Sequence, residues 1–438
     1  MQSYLKSLIT RRSKTKSEDK SAHSNSRIML FDLYAGGHHP IYIQHLIKYW
    51  HEQSLNEQID ILVTPEVSQN HFDCVISNSD IDRQTVNIVT ITPKEAKSLV
   101  PRTSPINRAF RALQEWILLW KYVRLRGTTH CLVMYFDSFQ TPLALGLKLP
   151  CRISGIYFRP TFHYTKLPNY QPTRKETIQH WREKIILPRI LMHPQLEKLF
   201  CLDPLVIKYI FHLDNQAKSI YLPDPIPFLR KINDYQIEQT KKVLGIETGR
   251  RIFLLFGAID KRKGVYQLLQ AIERLPKEYC QKLCLILAGQ VEIQAEQVHI
   301  EAQVAKACKL SNVQIIKLFK FIPDNDMSAY FQLADVILAP YQKHVGMSGI
   351  ILLAAATSKP VLSSDYGLMG EIVRQNELGL AINSSSPEEL EKALLRLLSE
   401  PLDNFCNPSK MHTFSQQYSP EKFSSIIFQN LLNSIFNT

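Results

Sequence analysis

Glycine is scarce in this sequence, at 15 of 438 residues, about 3.4% and roughly half the usual share. A glycine that does occur therefore marks, more often than usual, a place where the backbone needs one. No run of about 18 apolar residues is present, which excludes a membrane-spanning helix of ordinary length. The eight cysteines (Cys74, Cys131, Cys151, Cys201, Cys280, Cys284, Cys308 and Cys406) include no Cys-x-x-Cys pair. Most sit in apolar, strand-like surroundings, the pattern expected of reduced, buried thiols in a cytosolic protein. The opening residues MQSYLKSLITRRSKTKSEDK lack the apolar core of a secretion signal, so export is not expected.

Acidic residues are also in deficit, 40 Asp+Glu against 52 Lys+Arg, a formal charge of +12. The excess is uneven. Residues 1–27 carry +5, residues 28–222 carry +6, and residues 223–438 carry only +1. A basic half beside a near-neutral half points to a polyanionic partner on one side, or simply to a solvated basic surface. Hydrophobic residues at 45% and charged residues at 21% are ordinary globular values, and the length suits two or three domains of roughly 100–200 residues.

Residues 1–26 read as a basic, disordered tail. Short β-branched runs follow at Arg27–Tyr34, Ile59–Thr64, Val86–Thr92, Cys131–Phe136 and Arg152–Phe158, with helical patterns between several of them. The second half repeats the scheme with strands at Arg251–Phe256, Leu283–Ala288, Val313–Leu318, Val336–Ala339, Pro360–Ser363 and Leu378–Ile382. Its helical patterns fall at Val265–Arg274, Asp326–Leu333, Gly349–Thr357 and Pro387–Leu398. Alternating buried strands and helices predict an α/β protein with parallel sheets. The Pro-rich stretch Tyr221–Phe228 separates a first domain, 27–222, from a second, 223–418, and a C-terminal helix at 419–438 is expected to rejoin the first. Two doubly wound sheets facing a cleft place ligands beyond the carboxyl ends of their strands.

Three turns carry the chemistry. In Phe256-Gly257-Ala258-Ile259-Asp260-Lys261-Arg262-Lys263-Gly264, three consecutive cations open a helix. They oppose its dipole unless an anion sits there, so the turn is either a diphosphate site or an exposed basic turn. In His344-Val345-Gly346-Met347-Ser348-Gly349, two glycines and a serine precede an apolar helix whose first N–H groups would face a ligand, Ser348 capping it. Ala35-Gly36-Gly37-His38-His39 follows the first strand and is not a dinucleotide fingerprint. It leaves room for an acceptor or phosphate. The histidine pair has no second cluster at metal-ligand spacing, and zinc is not expected.

Asp137, Arg159 and His163 follow buried strands and fall where the cleft would be. The Asp-x-Asp pairs Asp80/Asp82 and Asp324/Asp326 read as loop and capping residues. Residues 102–126 hold six basic side chains and one acid, with Trp116, Leu119, Trp120 and Val123 at helical spacing. This suits an interfacial helix on an anionic membrane, or a helix packed on the sheet with its basic face in water.

With these motifs in place, the chain resembles the GT-B-fold glycosyltransferases of family 4, retaining enzymes that use nucleotide-sugars. The likeness is carried by the Gly257–Gly264 turn, Ala288-Gly289, the run Phe321-Ile322-Pro323…Leu333-Ala334-Asp335-Val336…Pro340, and Lys359-Pro360-Val361…Gly367…Glu371-Ile372-Val373…Gly379. It implies that Lys263, with Gly257, Arg262 and Gly264, binds the donor diphosphate. It further implies that Met347, Ser348 and Gly349 face the donor, and that Glu371 lies close to the nucleotide-sugar. The acceptor, a glycan or lipid-linked molecule, would enter beside Gly36, Gly37, His38 and His163. Asp137 and Arg159 are the expected catalytic partners of Lys263, and neither a metal nor another cofactor is expected. Nucleic acid is not an expected partner. The implied setting is cytoplasmic, peripheral at the inner face of a membrane through the tail and residues 102–126. Three departures stand out. The family's Glu-x7-Glu falls at Gly346 and Ala354, its arginine early in the glycine turn is Ala258, and its histidine after the fourth strand is Phe136. They open an alternative: a catalytically silent binding subunit of a polysaccharide assembly.

Overall fold

The computed structural model describes residues 26–34, 39–55, 57–72, 85–167, 169–214, 216–226 and 229–436. The tail, Gly36, Gly37, His38, Asp80, Asp82 and Cys74 lie outside the described residues.

The first half builds a seven-stranded sheet from β1 (Arg27–Phe31), β2 (Gln58–Val63), β3 (Val86–Thr90), β4 (His130–Val133), β5 (Arg152–Tyr157), β6 (Leu196–Cys201) and β7 (Ser219–Tyr221), in the order β3-β2-β1-β4-β5-β6-β7. The second half builds a six-stranded sheet from β8 (Arg251–Phe256), β9 (Leu283–Ala288), β10 (Gln314–Leu318), β11 (Val336–Ala339), β12 (Val361–Ser364) and β13 (Gly379–Ile382), in the order β10-β9-β8-β11-β12-β13. The pairings are parallel, for example Leu30↔Leu132 and Phe253↔Leu285. Such strands are covered on both faces, so their sequences are apolar without alternation. Leu283–Ala288 (LCLILA) is buried at every position.

Five helices matter for the first half and its neighbour: α1 (His39–Glu52), α2 (Pro105–Arg126), α3 (Arg174–Leu191), α4 (Val265–Arg274) and α5 (Gly349–Ala356). They are followed by α6 (Gly367–Gln375), α7 (Pro387–Ser399) and α8 (Pro420–Phe436). On α4, Val265, Leu268, Leu269 and Ile272 form the buried stripe that the 3.6-residue period requires. Ser386 caps α7 by accepting from the Glu389 N–H, with Glu388 and Glu389 in the first turn. The C-terminal helix α8 leaves the second half and packs on α1, with Tyr42 against Phe423 and Trp50 against Phe428 at ring separations of 5.0 and 4.9 Å.

Strands β6 and β7 escape sequence reading. Glu197 and Lys198 break the apolar run of β6, and β7 is three residues long. On α2, Trp116, Leu119 and Val123 are buried on the sheet while Trp120 faces solvent, so the sheet-packing alternative holds for that stripe. Two of its cations are also internal ties: Arg111 pairs with buried Glu115 at 2.6 Å and Arg126 with buried Asp60 at 2.9 Å. Among the described residues, no helix is long and apolar enough to cross a membrane.

Candidate functional site

Both sheets reverse their winding at one seam, between β1 and β4 and between β8 and β11. Chains leaving adjacent strands on opposite sides open a crevice there, so the turns after these four strands are the default ligand site.

In the second half the turn after β8 is Gly257–Gly264. Gly257 (φ +100°) and Gly264 (φ +76°) are both left-handed. A Cβ on Gly264 would stand 2.0 Å from the Pro340 carbonyl oxygen, so glycine is needed for close approach as well as for φ. Lys261–Lys263 form a separate 3₁₀ turn, capped when the Asp260 carboxylate accepts from the Lys263 N–H at 3.0 Å. The cations thus precede α4, whose N-cap is Gly264. Lys263 is buried. Its ammonium donates to the Phe256 carbonyl at 3.0 Å and to the Tyr341 hydroxyl, beside the Tyr341 ring. The more exposed Arg262 guanidinium lies 5.6 Å from the same ring centre.

The turn after β11 completes this wall. Gln342 N–H donates to the Arg262 carbonyl at 2.7 Å, joining the two turns. Ser348 stands at the N-cap of α5 but does not cap it; its hydroxyl donates to Tyr341 at 3.2 Å. The first turn of α5 therefore keeps N–H groups that no side chain caps, next to Met347 and Gly349. Burial depresses the affinity of His344 for a proton, and the positive charges of Arg262, Lys263 and Arg159 push the same way. Arg159 belongs to the first half, so the positive charge felt by His344 comes from both halves. Glu371 sits on α6, partly exposed, with its carboxylate accepting from Gln375 at 2.6 Å.

The first half supplies the facing wall. Asp137 accepts from the backbone N–H groups of Phe158 and Arg159 at 2.9 and 3.1 Å, tying the end of β4 to the end of β5. Burial raises its carboxyl to about 6 despite these bonds. A cleft of ≈ 660 Å³ opens above it between α2 and α3, lined by Asp137, Arg159, Arg102, Arg108, Lys175 and Arg182 among others. Asn169 and Tyr170 reach the second half: Asn169 donates to Asp365 at 3.1 Å, and the rings of Tyr170 and Tyr366 lie 6.0 Å apart.

The structure thus brings together Lys263, Arg262, Gly257, Gly264, Met347, Ser348 and Gly349 in the second half, and Asp137 with Arg159 in the first-half cleft. His163 departs from the sequence expectation. Its side chain is fully buried 3.1 Å from Asp203 and stacked on Tyr209, so it supports the loop from beneath and does not face an acceptor. Two groups were missed. Tyr341 organises Lys263, Arg262 and Ser348; its only sequence signal is its place two residues past β11, after Pro340. His39 lies 2.7 Å from Asp32, both buried, with its ring stacked on Phe158 at 5.0 Å. Asp32, the first polar residue after an apolar strand, was the available clue.

Among the described residues, no three His, Cys, Asp or Glu side chains converge as a metal site would require. A family model described as Glycosyl transferases group 1 matches residues 236–416. The D-inositol 3-phosphate glycosyltransferase of Corynebacterium urealyticum is 26% identical over 165 residues, 37% of this chain and 38% of its own length. The chain spans less than half the length of the curated relatives it matches. A glycosyltransferase from Rickettsia africae superimposes with a TM-score of 0.64 at 12% identity, covering 95% of this chain and 100% of its own. Anabaena Alr3699/HepE, solved in complex with UDP and glucose, gives 0.63 at 12%, covering 93% and 100%. The two parallel-sheet halves therefore form a two-domain, Rossmann-like GT-B fold whose residues 236–416 are similar to the group 1 glycosyl transferases.

Proposed function

We propose that the protein is a glycosyltransferase that moves a sugar, with retention, from a nucleoside-diphosphate sugar to a glycan or lipid-linked acceptor. The observation that carries this is the gathering of Lys263, Arg262 and Ser348, at the uncapped start of α5, around Tyr341 beside the seam of the second sheet. Cations and N–H groups held there in advance would neutralise the departing diphosphate, which is where charge develops in sugar transfer. On this reading Gly257 and Gly264 let the backbone approach the diphosphate, while Met347, Ser348 and Gly349 present N–H groups to it. Glu371 sits nearer the nucleoside and sugar. Asp137 and Arg159 serve the acceptor side with Gly36, Gly37 and His38. Family 4 membership belongs to this proposal, as does a cytoplasmic, membrane-peripheral setting. No resident metal or other cofactor is included, and nucleic acid is not among the partners.

Calorimetry with UDP-, GDP- and ADP-sugars, paired with a transfer assay, tests the proposal. Micromolar binding of one of them and transfer to an added acceptor support it; no binding of any of the three rejects it. A second reading, a binding subunit without catalysis, is favoured by one observation. The family's two carboxylates are replaced by Gly346, beneath the Tyr164 hydroxyl, and by Ala354, fully buried in the core. Binding without transfer would select that reading.

A further inference from the structure

The cleft between α2 and α3 is bordered by cations without acidic partners. Arg102 is tied to Glu115 at 2.7 Å. Among the described residues, Arg108, Arg159, Lys175 and Arg182 make no ion pair, and all four line the cleft with exposed side chains. The two carboxylates in the lining are turned inward: Asp137 holds backbone N–H groups, and Glu183 holds Tyr157 and Thr161. The open cleft therefore has a positive field and favours an anion.

Its two bordering helices also carry large apolar residues that are exposed. On α2, Ile106, Phe110, Leu113, Ile117 and Trp120 recur at spacings of four and three, a solvent-facing stripe opposite the buried one. Ile106 and Ile117 are 70% and 64% exposed. On α3, Ile178, Trp181 and Ile185 repeat the arrangement, with Ile178 and Trp181 each 67% exposed, and Ile178 lines the cleft. Arg124 rests over the Trp120 ring at 5.3 Å, and Lys184 neighbours Trp181 on α3. Isolated exposed apolar residues need no explanation, but two helical stripes beside a cationic cleft do. Aromatic and aliphatic side chains flanked by Arg and Lys are what an anionic bilayer surface accepts.

We propose that α2 and α3 dock on an anionic bilayer and that the cleft between them takes the phosphate-bearing head of a lipid-anchored acceptor. This rests on, and narrows, the glycosyltransferase reading: it specifies the acceptor class. A lipid-borne phosphate would place its anion among Arg108, Lys175 and Arg182 while its chains stay in the bilayer beneath the apolar stripes. Arg159, two residues past β5, lines the same cleft.

The test is flotation of the full chain with phosphatidylcholine vesicles prepared with and without phosphatidylglycerol. The expected result is flotation only with the anionic lipid. Ile117→Glu combined with Trp181→Glu should abolish it, and Arg108→Gln and Lys175→Gln should each weaken it about fivefold. All four positions are exposed, and unchanged thermal melting will show that the variants fold. Failure of the wild type to float overturns the proposal, as does flotation that these substitutions leave unchanged. A concentration-dependent dimer abolished by Ile117→Glu, without vesicle binding, assigns the stripe to a second copy and also overturns it. Saturable calorimetric binding of glycerol phosphate without vesicle binding assigns the cleft to a soluble phosphate ester and rejects the lipid. Flotation does not depend on nucleotide-sugar binding, so a failed nucleotide panel leaves this result separately readable.

Discussion

The two halves share an architecture but use their cations differently. In the second half, several exposed cations sit beside carboxylates: Arg274 with Glu388 and Glu391, Lys306 with Glu273, Lys392 with Glu389, Arg396 with Glu400. Such pairs add little stability, but they offset charge across that half, whose net is only +1. In the first half, Arg111 and Arg126 are tied to Glu115 and Asp60, carboxylates at 2% and 0% exposure, while the cleft cations stay unpaired. Near-neutral surface around one tight basic turn suits a small, polyanionic ligand. A broad cationic mouth beside exposed apolar stripes suits an extended, amphiphilic one.

The contrast can be broken most severely at the close-packed turn. Gly289→Ala puts a Cβ 2.0 Å from the Gly257 carbonyl oxygen at φ +145°, and a loss of about 3 kcal/mol in urea denaturation is expected. Gly146→Ala, in the first half at φ +75° with nothing within 4 Å, should cost about 1 kcal/mol. Equal losses would mean that close approach is not what the second-half glycine serves. The two faces of α2 give a comparison of similar size. Leu119→Ala should cost about 3 kcal/mol, whereas Ile117→Ala should stay within about 0.5 kcal/mol; a large loss at Ile117 would show that its face is covered.

Lys263→Ala should lower transfer at least about tenfold, equivalent to roughly 1.4 kcal/mol of transition-state stabilisation. Undiminished turnover would remove Lys263 from the diphosphate site. A subtler probe is pH. Burial raises the Asp137 carboxyl to about 6, so between about pH 4 and 6 the folded protein holds a proton that the unfolded chain releases. Stability from this group is therefore present below about pH 4 and declines as pH rises through 6. Asp137→Asn should flatten that slope in denaturation curves; an unchanged slope would place the titration elsewhere. Smallest of all, Arg396→Ala should change stability by less than about 0.5 kcal/mol and leave transfer untouched.

The second half was the more legible in sequence. Strands β8, β9 and β11 and helix α4 were read at their observed bounds, because buried parallel strands are short apolar runs closed by glycine or proline. The Lys263 turn was legible for a related reason: in a glycine-poor chain, paired glycines around three cations imply a backbone constraint. The first half was harder. Charged Glu197 and Lys198 hid β6, and α2 was read as one amphipathic stripe because sequence periodicity cannot say which of two apolar faces meets the sheet. Its cation count overstated the free charge, since Asp60 lies 66 residues from the Arg126 it holds.

By itself, the sequence determined the α/β class, the two-sheet plan, the uneven charge and the basic glycine turn after β8, because these follow from local periodicity and composition. The tertiary structure decided which of those residues act together. It buried His163 and Lys263, made Tyr341 the organiser of the second-half wall, tied the Arg159 backbone to Asp137, and left one stripe of α2 exposed. Pairing, burial and exposure depend on partners distant in the chain, and only the folded packing brings those partners within reach.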